Sequence, residues 1–414
     1  MVEVQLLYNN QFKQLTRNLY SSKRRKKWIL VIIGLLFCLS FTYFFINLFS
    51  RSIQVSPAFS TIIYPLSPPI ILIWTVTFNC GSWNESTNLP LDCDCIVTRN
   101  RSLLPQAKVV LFYWRNTDLS DLPKYKFEGQ TWIWHHMESP IHTHRRSELT
   151  AFSNYVDCWS SYRTDSDFPT PYGFILPNNE SHKSEKSNQV NAPNAFFVNK
   201  SRNVAWMVSN CGAPSGRDEY VKELARYIDV DIYGDCGPFK CPRSEGSHCY
   251  EYFEKKYRYY LSFENSICTD YYTEKIINLL NYTIIPIVLG GANYSSVLPN
   301  HSYIDALSFK SPRYLAMLLR SLSADEKRYN SYFEWKSRFT INNNDYRTLF
   351  CQICSRLKQS TQSGFSFSSS TKDHHQLRRS NVLCNHPDKD LFSWWYNETS
   401  CKSWTPINQF KFWS

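Results

Sequence analysis

The chain has 414 residues, 43% of them hydrophobic and 16% aromatic, enough to bury a sizeable core and too apolar for a wholly disordered polymer. Its 46 Lys and Arg against 35 Asp and Glu leave a formal charge of +11, a balance that by itself points toward a polyanion such as nucleic acid or toward an anionic membrane surface. Fourteen cysteines exclude most cytosolic proteins unless they fall into metal-ligand spacings.

The charge is unevenly placed. Residues 1–27 carry Lys13, Arg17, Lys23, Arg24, Arg25, Lys26 and Lys27 against Glu3 alone, which is +6 of the +11. Trp28 to Phe49 then runs without a charge, rich in Ile, Leu, Val and Phe, and is long enough to cross a bilayer as a helix. A cleaved signal peptide would have a shorter apolar core and a small-x-small site, and no such site precedes Arg51. The positive-inside rule therefore predicts a cytosolic tail over 1–27 and a signal anchor over 28–49, with everything beyond on the far side of the membrane. Thirteen of the fourteen cysteines follow the anchor, Cys38 lying within it. An odd number leaves one thiol unpaired or bonded between chains. Eight Asn-x-Ser/Thr acceptors also follow the anchor. Asn84, Asn100, Asn179, Asn199 and Asn397 are the candidate glycosylation sites, with Asn281, Asn293 and Asn300 making up the rest.

Residues 50–68, with Pro57, Pro65 and Pro68, read as a stem. Short apolar runs follow at Ile70–Trp74 and Ala107–Tyr113, and a second set at Asn203–Val208, Val230–Gly234, Tyr259–Phe263 and Ile284–Leu289, the form of buried strands in a parallel sheet. Helical stretches separate them: 217–228, with Tyr220, Val221, Leu224, Ala225 and Ile228 on one face, and 271–282. Strand, helix and strand in alternation predict right-handed βαβ units. The fold class is thus α/β, two Rossmann-like domains facing a cleft, preceded by a single N-terminal transmembrane helix. The boundaries are 69–195 and 196–358, with polar residues 178–195 at the junction. Residues 359–376, rich in Ser, Thr and Gln, are expected to be flexible, and Trp394, Trp395, Trp404 and Trp413 mark a tail (the last part of 359–414) that packs back on the body.

The densest polar segment is Phe263-Glu264-Asn265-Ser266 followed by Asp270-Tyr271-Tyr272-Thr273-Glu274-Lys275. A strand ending at Phe263 delivers Glu264 and Asn265 to its carboxyl end, where open α/β sheets bind ligands. Asp270 is the expected N-cap of a helix whose first turns hold Tyr271, Glu274 and Lys275, a setting that suits a diphosphate with Glu274 near attached sugar hydroxyls. Taken on spacing alone, a plain helix start with a surface Glu and Lys pair fits equally.

Phe-Glu-Asn-Ser-x(3)-Asp-Tyr-x-Thr-Glu-Lys, then Ile285–Gly290, Asn293-Tyr294, Pro299 and Tyr329-x-x-Tyr332-Phe333-x-Trp335 closely resembles the α1,3-fucosyltransferase family, glycosyltransferase family 10. Trp132-Ile133-Trp134, Glu138-Ser139-Pro140, Tyr162 to Asp167, Pro171-Tyr172-Gly173, and Val208-Ser209-Asn210 with Arg217 extend the resemblance over roughly 70–358. Asn210-Cys211-Gly212 and the cysteines from 236 to 268 look most like invertebrate and core-type members. The resemblance implies the two-domain GT-B arrangement, with 69–195 on the acceptor side and 196–358 binding the donor. It implies a single-pass type II Golgi membrane enzyme with a lumenal catalytic part. It also implies inverting transfer of L-fucose from GDP-fucose to the 3-hydroxyl of GlcNAc in glycoprotein N-glycans, at the core or on antennae. Glu138 is then the catalytic base, with Trp132, Trp134, Met137 and Pro140 expected to desolvate it and bring its pKa toward working pH. Arg217 and Lys275 neutralise the departing pyrophosphate, and Asn265, Tyr271 and Glu274 hold the nucleotide sugar.

Three Asp-x-Asp pairs, at Asp92, Asp165 and Asp229 with the acid two residues on, imitate a metal signature. Their number and turn contexts favour structural roles, so no catalytic metal and no tightly bound cofactor is expected. Cys351-x-x-Cys354 with Cys384 and Cys401 suits zinc or disulfides, and an oxidising compartment favours disulfides. Cys236, Cys241, Cys249 and Cys268 are expected to form two bridges tying the donor motif to the loop before it. The expected partners are GDP-fucose, a GlcNAc-containing glycan and the membrane, with a homodimer left open. Nucleic acid has no local support, since no basic patch interleaved with aromatics stands outside the first 27 residues. The competing reading is a catalytically inactive, membrane-anchored, lectin-like protein on the same fold.

Overall fold

A computed structural model describes residues 54–55, 68–75, 93–178, 196–197, 199–241, 247–343, 346–362, 383–385, 389–406 and 409–413. The expected anchor over 28–49, Asn84, Asn179, Cys38 and Cys80 lie outside the described residues, as does most of 359–376. Among the described residues, no helix is long and apolar enough to cross a membrane. The chain divides into two units. In the first, Met1–Ala58 with Pro123–Lys126, the described structure is a parallel pairing of Gln54–Val55 with Tyr125–Lys126. The second, Phe59–Leu122 with Phe127–Ser414, holds both large sheets.

The N-terminal sheet has six strands in the order Ile96–Thr98, Ile70–Ile73, Val109–Tyr113, Thr131–His136, Cys158–Ser161 and Phe168–Pro169. All its pairings are parallel. Val109–Tyr113 and Thr131–His136 are buried along their whole length, which is why the first runs apolar without alternating and why the second carries buried Thr131, His135 and His136 beside its apolar residues. The C-terminal sheet has five strands, ordered Val230–Tyr233, Arg202–Met207, Tyr257–Phe263, Ile285–Leu289 and Ile304–Asp305, again all parallel. Arg217–Leu224 and Pro312–Ser323 cover one face, packing Tyr220, Leu224, Leu315 and Leu319 against Val204, Leu261 and Ile287. Ser247–Lys256 covers the other through Cys249 and Phe253 against Ala205 and Tyr260. The strand order reverses between Arg202–Met207 and Tyr257–Phe263, so a crevice opens at their carboxyl ends.

The expected strands are present within one or two residues, and the helices are shorter than predicted. The stretch 271–282 is helical only over Glu274–Leu279, and its N-cap is Thr273, whose side chain accepts from the Lys275 N–H. Asp270 instead adopts φ +62° and accepts hydrogen bonds from the Thr164 N–H at 3.1 Å and hydroxyl at 2.6 Å. A residue engaged across the sheets in the left-handed region cannot also cap the helix three residues on.

Six disulfides join the described cysteines, and their pairing corrects the expected grouping. Of Cys236, Cys241, Cys249 and Cys268, only Cys241 and Cys249 pair with each other. Cys236 bonds Cys211, because each follows one of two adjacent parallel strands, and Cys268 bonds Cys401, its partner in an antiparallel register. Cys351 and Cys354 reach back to Cys93 and Cys95, and Cys384 to Cys158. The helix Tyr346–Gln362 thereby packs Leu349, Phe350 and Ile353 into the core of the N-terminal sheet, and it extends into the stretch expected to be flexible.

The tail packs back as expected, on both sheets. Trp394 stacks on Trp159 at 5.3 Å and Trp395 meets Trp134 edge-on at 5.0 Å. A hairpin of Cys401–Thr405 and Gln409–Trp413 then adds to the short strand Ile267–Cys268 beside the C-terminal sheet. Gly216, at φ +74°, lets this hairpin close in: a Cβ there would stand 2.1 Å from the Trp404 carbonyl oxygen. Asn100, Asn199 and Asn397 are exposed.

His135 sits fully buried on Thr131–His136, with Nδ1 3.0 Å from the Ser160 hydroxyl, and burial lowers its pKa from 6.5 to about 3. The unfolded chain protonates this residue near pH 6.5 while the folded chain stays neutral, so its contribution is complete above pH 6.5 and shrinks as pH falls toward 3. Below pH 6 the loss is about 1.4 kcal/mol per pH unit. In urea titrations at pH 6 and pH 5, His135→Asn is expected to flatten the pH dependence of stability by that amount.

Candidate active site

A cavity of about 750 Å³ occupies the crevice of the C-terminal sheet. Arg217, Asn265, Glu274 and Lys275 line it, together with Trp206, Val208, Ser209, Asn210, Tyr250 and Tyr282. Four of the five predicted donor-side residues therefore meet in one place. The fifth, Tyr271, does not line it; it is buried elsewhere, with its hydroxyl 3.3 Å from Glu138 Oε2.

Glu264 organises the donor motif, a role that the sequence reading did not assign. Its carboxylate is buried and accepts from the Thr273 N–H and hydroxyl, both at 2.9 Å, and from Lys275 Nζ at 3.1 Å. Burial pushes the Glu264 pKa up. Burial would pull that of Lys275 down, but the Glu264 and Glu274 carboxylates more than offset this and raise it. Lys275 stays an ammonium with a third of its side chain exposed at the cavity.

Arg217, 3% exposed, spends its terminal nitrogens on backbone: one donates to the Phe263 carbonyl at 2.8 Å and the other to that of Asn210 at 2.7 Å. It therefore laces together the segments that leave the two switch-point strands. Its Nε is buried without a partner, and burial lowers its pKa. The planar fork was expected to face a pyrophosphate; in this structure it faces two carbonyls and lines the cavity from behind them.

Glu138 follows the strand Thr131–His136, with 28% of its side chain exposed. Arg115 lies 3.3 Å from Oε1, on the opposite side from Tyr271. The expected apolar surroundings are largely taken up by the core, since Trp132 packs on Phe112 and Trp134 on Trp395. A second cavity, about 190 Å³, is lined by Glu138, Arg115, Trp114, Asn210 and Asn265 among others. Asn210 and Asn265 line both cavities. Ser139 and Ser266, each next in sequence to one of the site residues, share a buried hydrogen bond at 2.7 Å that holds Glu138 beside Asn265. Arg115 was missed; the available signal was its position just beyond Val109–Tyr113, the neighbour in the sheet of the strand that carries Glu138.

Four of the six Asp-x-Asp acids have structural partners, and Asp92 lies outside the described residues. Asp165 pairs with Arg163 at 2.7 Å, Asp167 accepts from the Trp159 N–H at 2.9 Å, Asp231 pairs with Arg202, and Asp94 with Lys358 at 2.8 Å. Cys158, Asp167 and Cys384 lie close enough to share a metal, but both sulfurs are used in a disulfide.

Glu264→Gln is expected to strip Lys275 and Thr273 of a buried anion and to lower stability by about 2–4 kcal/mol, which chemical denaturation will measure.

Residues 197–373 match the family model for the C-terminal part of glycosyltransferase family 10 (fucosyltransferase), and residues 66–173 match that for the fucosyltransferase N-terminal part. The glycoprotein 3-alpha-L-fucosyltransferase A of Drosophila melanogaster is 35% identical over 337 residues, 78% of this chain and 60% of that protein. The chain thus aligns with well under two thirds of that relative's length. The alpha-(1,3)-fucosyltransferase C of the same organism is 33% identical over 82% of this chain and 80% of its own. The human 4-galactosyl-N-acetylglucosaminide 3-alpha-L-fucosyltransferase FUT6 is 35% identical over 72% and 80%. Matches that run through both sheets and take in both cavities leave one assignment: the chain belongs to glycosyltransferase family 10, the fucosyltransferases.

Proposed function

We propose that the chain is an α1,3-fucosyltransferase that moves L-fucose from GDP-fucose, with inversion, to the 3-hydroxyl of a GlcNAc residue in glycoprotein N-glycans, core or antennal. The observation that carries this reading is the junction at Asn210 and Asn265, where a cavity holding a half-buried lysine meets one holding a carboxylate. The larger cavity is the donor site. Lys275 and Arg217 place positive charge where the diphosphate gains negative charge, as the bond from fucose C1 to phosphate oxygen breaks and leaves its electron pair on that oxygen. Glu138 takes the proton of the acceptor hydroxyl as that oxygen bonds to C1 from the opposite face. Arg115 and the Tyr271 hydroxyl hold the carboxylate in place from two sides. GDP-fucose is a substrate, and these residues assign no step to a metal. A lectin-like protein would need neither a base nor a cation at a diphosphate subsite, so the paired cavities favour transfer.

A type II Golgi enzyme with a lumenal catalytic part is part of this proposal. Support comes from the basic flank and apolar run before residue 50, and from the pairing of every described cysteine in a disulfide. Selective permeabilisation with epitope tags at the two ends will test it; a protected N-terminal tag would overturn it.

The full chain purified in detergent should release GDP from GDP-fucose only with a GlcNAc-containing acceptor, and linkage analysis on core-only and antenna-only glycans will identify which is used. Glu138→Gln is expected to lower kcat by about 10²–10⁴-fold while GDP affinity measured by calorimetry is held. Lys275→Ala is expected to weaken GDP by about 10–100-fold, and an unchanged dissociation constant would remove Lys275 from the donor site.

A further inference from the structure

The smaller cavity contains buried polar atoms that the transfer chemistry leaves unused. His136 is 2% exposed, and neither of its ring nitrogens has a hydrogen-bond partner. His142 presents a buried Nε2 that is likewise unpartnered, while its ring interacts with the backbone of Asn265. Both side chains line the cavity that holds Glu138. Buried nitrogens are almost always satisfied, so two such rings beside one carboxylate call for a partner that arrives with a ligand.

The chemistry of that partner follows from the state of the rings. Burial lowers both pKa values, well below 6.5 for His136, and for His142 the nearby Glu138 opposes this only in part. A neutral imidazole offers one N–H donor and one nitrogen acceptor, which suits hydroxyl and acetamido groups rather than an anion. His136 is also held by its neighbours, packed 5.5 Å from Trp134 and 5.8 Å from Trp395, so it presents its nitrogens without a large entropy loss on binding.

We propose that His136 and His142 recognise the acceptor sugar, hydrogen-bonding the hydroxyl or acetamido groups that flank the reacting hydroxyl and setting it against Glu138. The proposal rests on the transferase reading above and assigns the acceptor subsite that it leaves open. His142 meets only the backbone of Asn265, so its ring can serve the acceptor while the Asn265 side chain stays with the donor junction.

The test compares wild type with His142→Phe, His142→Gln and His136→Phe, measuring separate KM values for acceptor and GDP-fucose, kcat and melting temperature. His142→Phe should raise the acceptor KM about tenfold or more with the GDP-fucose KM unchanged, and His142→Gln should recover part of the loss. An acceptor with the contacted hydroxyl removed should bind wild type more weakly but His142→Phe no more weakly than the intact acceptor. If wild type transfers fucose and a folded His142→Phe keeps the wild-type acceptor KM, the inference is overturned. His136→Phe stands in the core, so if it fails to fold the His142 variants decide alone. Should wild type show no transfer, the transferase reading falls, and calorimetry of the same glycans decides this inference separately: weakened binding in His142→Phe supports it, and unchanged or absent binding overturns it.

Discussion

A buried bond, Ser139 to Ser266 at 2.7 Å, is the link between the two sheets that lies nearest to Glu138 and Asn265 in sequence. Each serine is next in sequence to a residue that lines the smaller cavity, Glu138 on one sheet and Asn265 on the other. A hydroxyl pair at this spacing tolerates little displacement, so the seam sets how far the carboxylate stands from the donor cavity. The Tyr271 hydroxyl, which reaches from the donor motif to Glu138, and the Thr164 contacts of Asp270 run across the same seam. Asp270 holds its left-handed backbone at this seam, and the next residue, Tyr271, sets its hydroxyl against the carboxylate.

Behind the seam, charge is arranged in layers. Glu264 is buried and would be costly alone, but Lys275 and the Thr273 N–H and hydroxyl satisfy it. The same carboxylate draws the ammonium to the cavity wall and holds Thr273, the N-cap of the helix that follows. Arg217 does the equivalent for the strands, donating to the carbonyls of Phe263 and Asn210 at the crevice. These two cations stabilise the donor cavity before any ligand enters, so substituting either affects folding as well as binding.

The tail supplies a second connection between the sheets. Trp394 and Trp395 are anchored on the N-terminal sheet, with Arg163 donating to the Trp394 carbonyl, and a few residues later Cys401 is bonded to Cys268 beside the donor motif. Gly216 allows this arm to lie against the turn just before Arg217. The hairpin thus packs directly on the two segments, 213–217 and 265–271, that shape the crevice.

Much of this was legible in the residue order. Uninterrupted apolar runs separated by amphipathic stretches determine the parallel sheets, because a strand buried on both faces has no polar side to show. The contiguous motif from Phe263 to Lys275 marked the larger cavity, since the strand end and the helix start that line it are adjacent in the chain. What the sequence could not determine is every pairing that the fold alone brings within reach. Local spacing suggested a cysteine group from 236 to 268, while Cys211, Cys401 and the parallel register decided the partners. Tyr271 and Glu138 stand 133 residues apart, and no pattern along the chain could place one against the other. Periodicity and charge report what a segment does with its own backbone and solvent; only tertiary structure decides which distant side chains share the water-poor space where a carboxylate, a lysine and two histidines with unpartnered ring nitrogens come together.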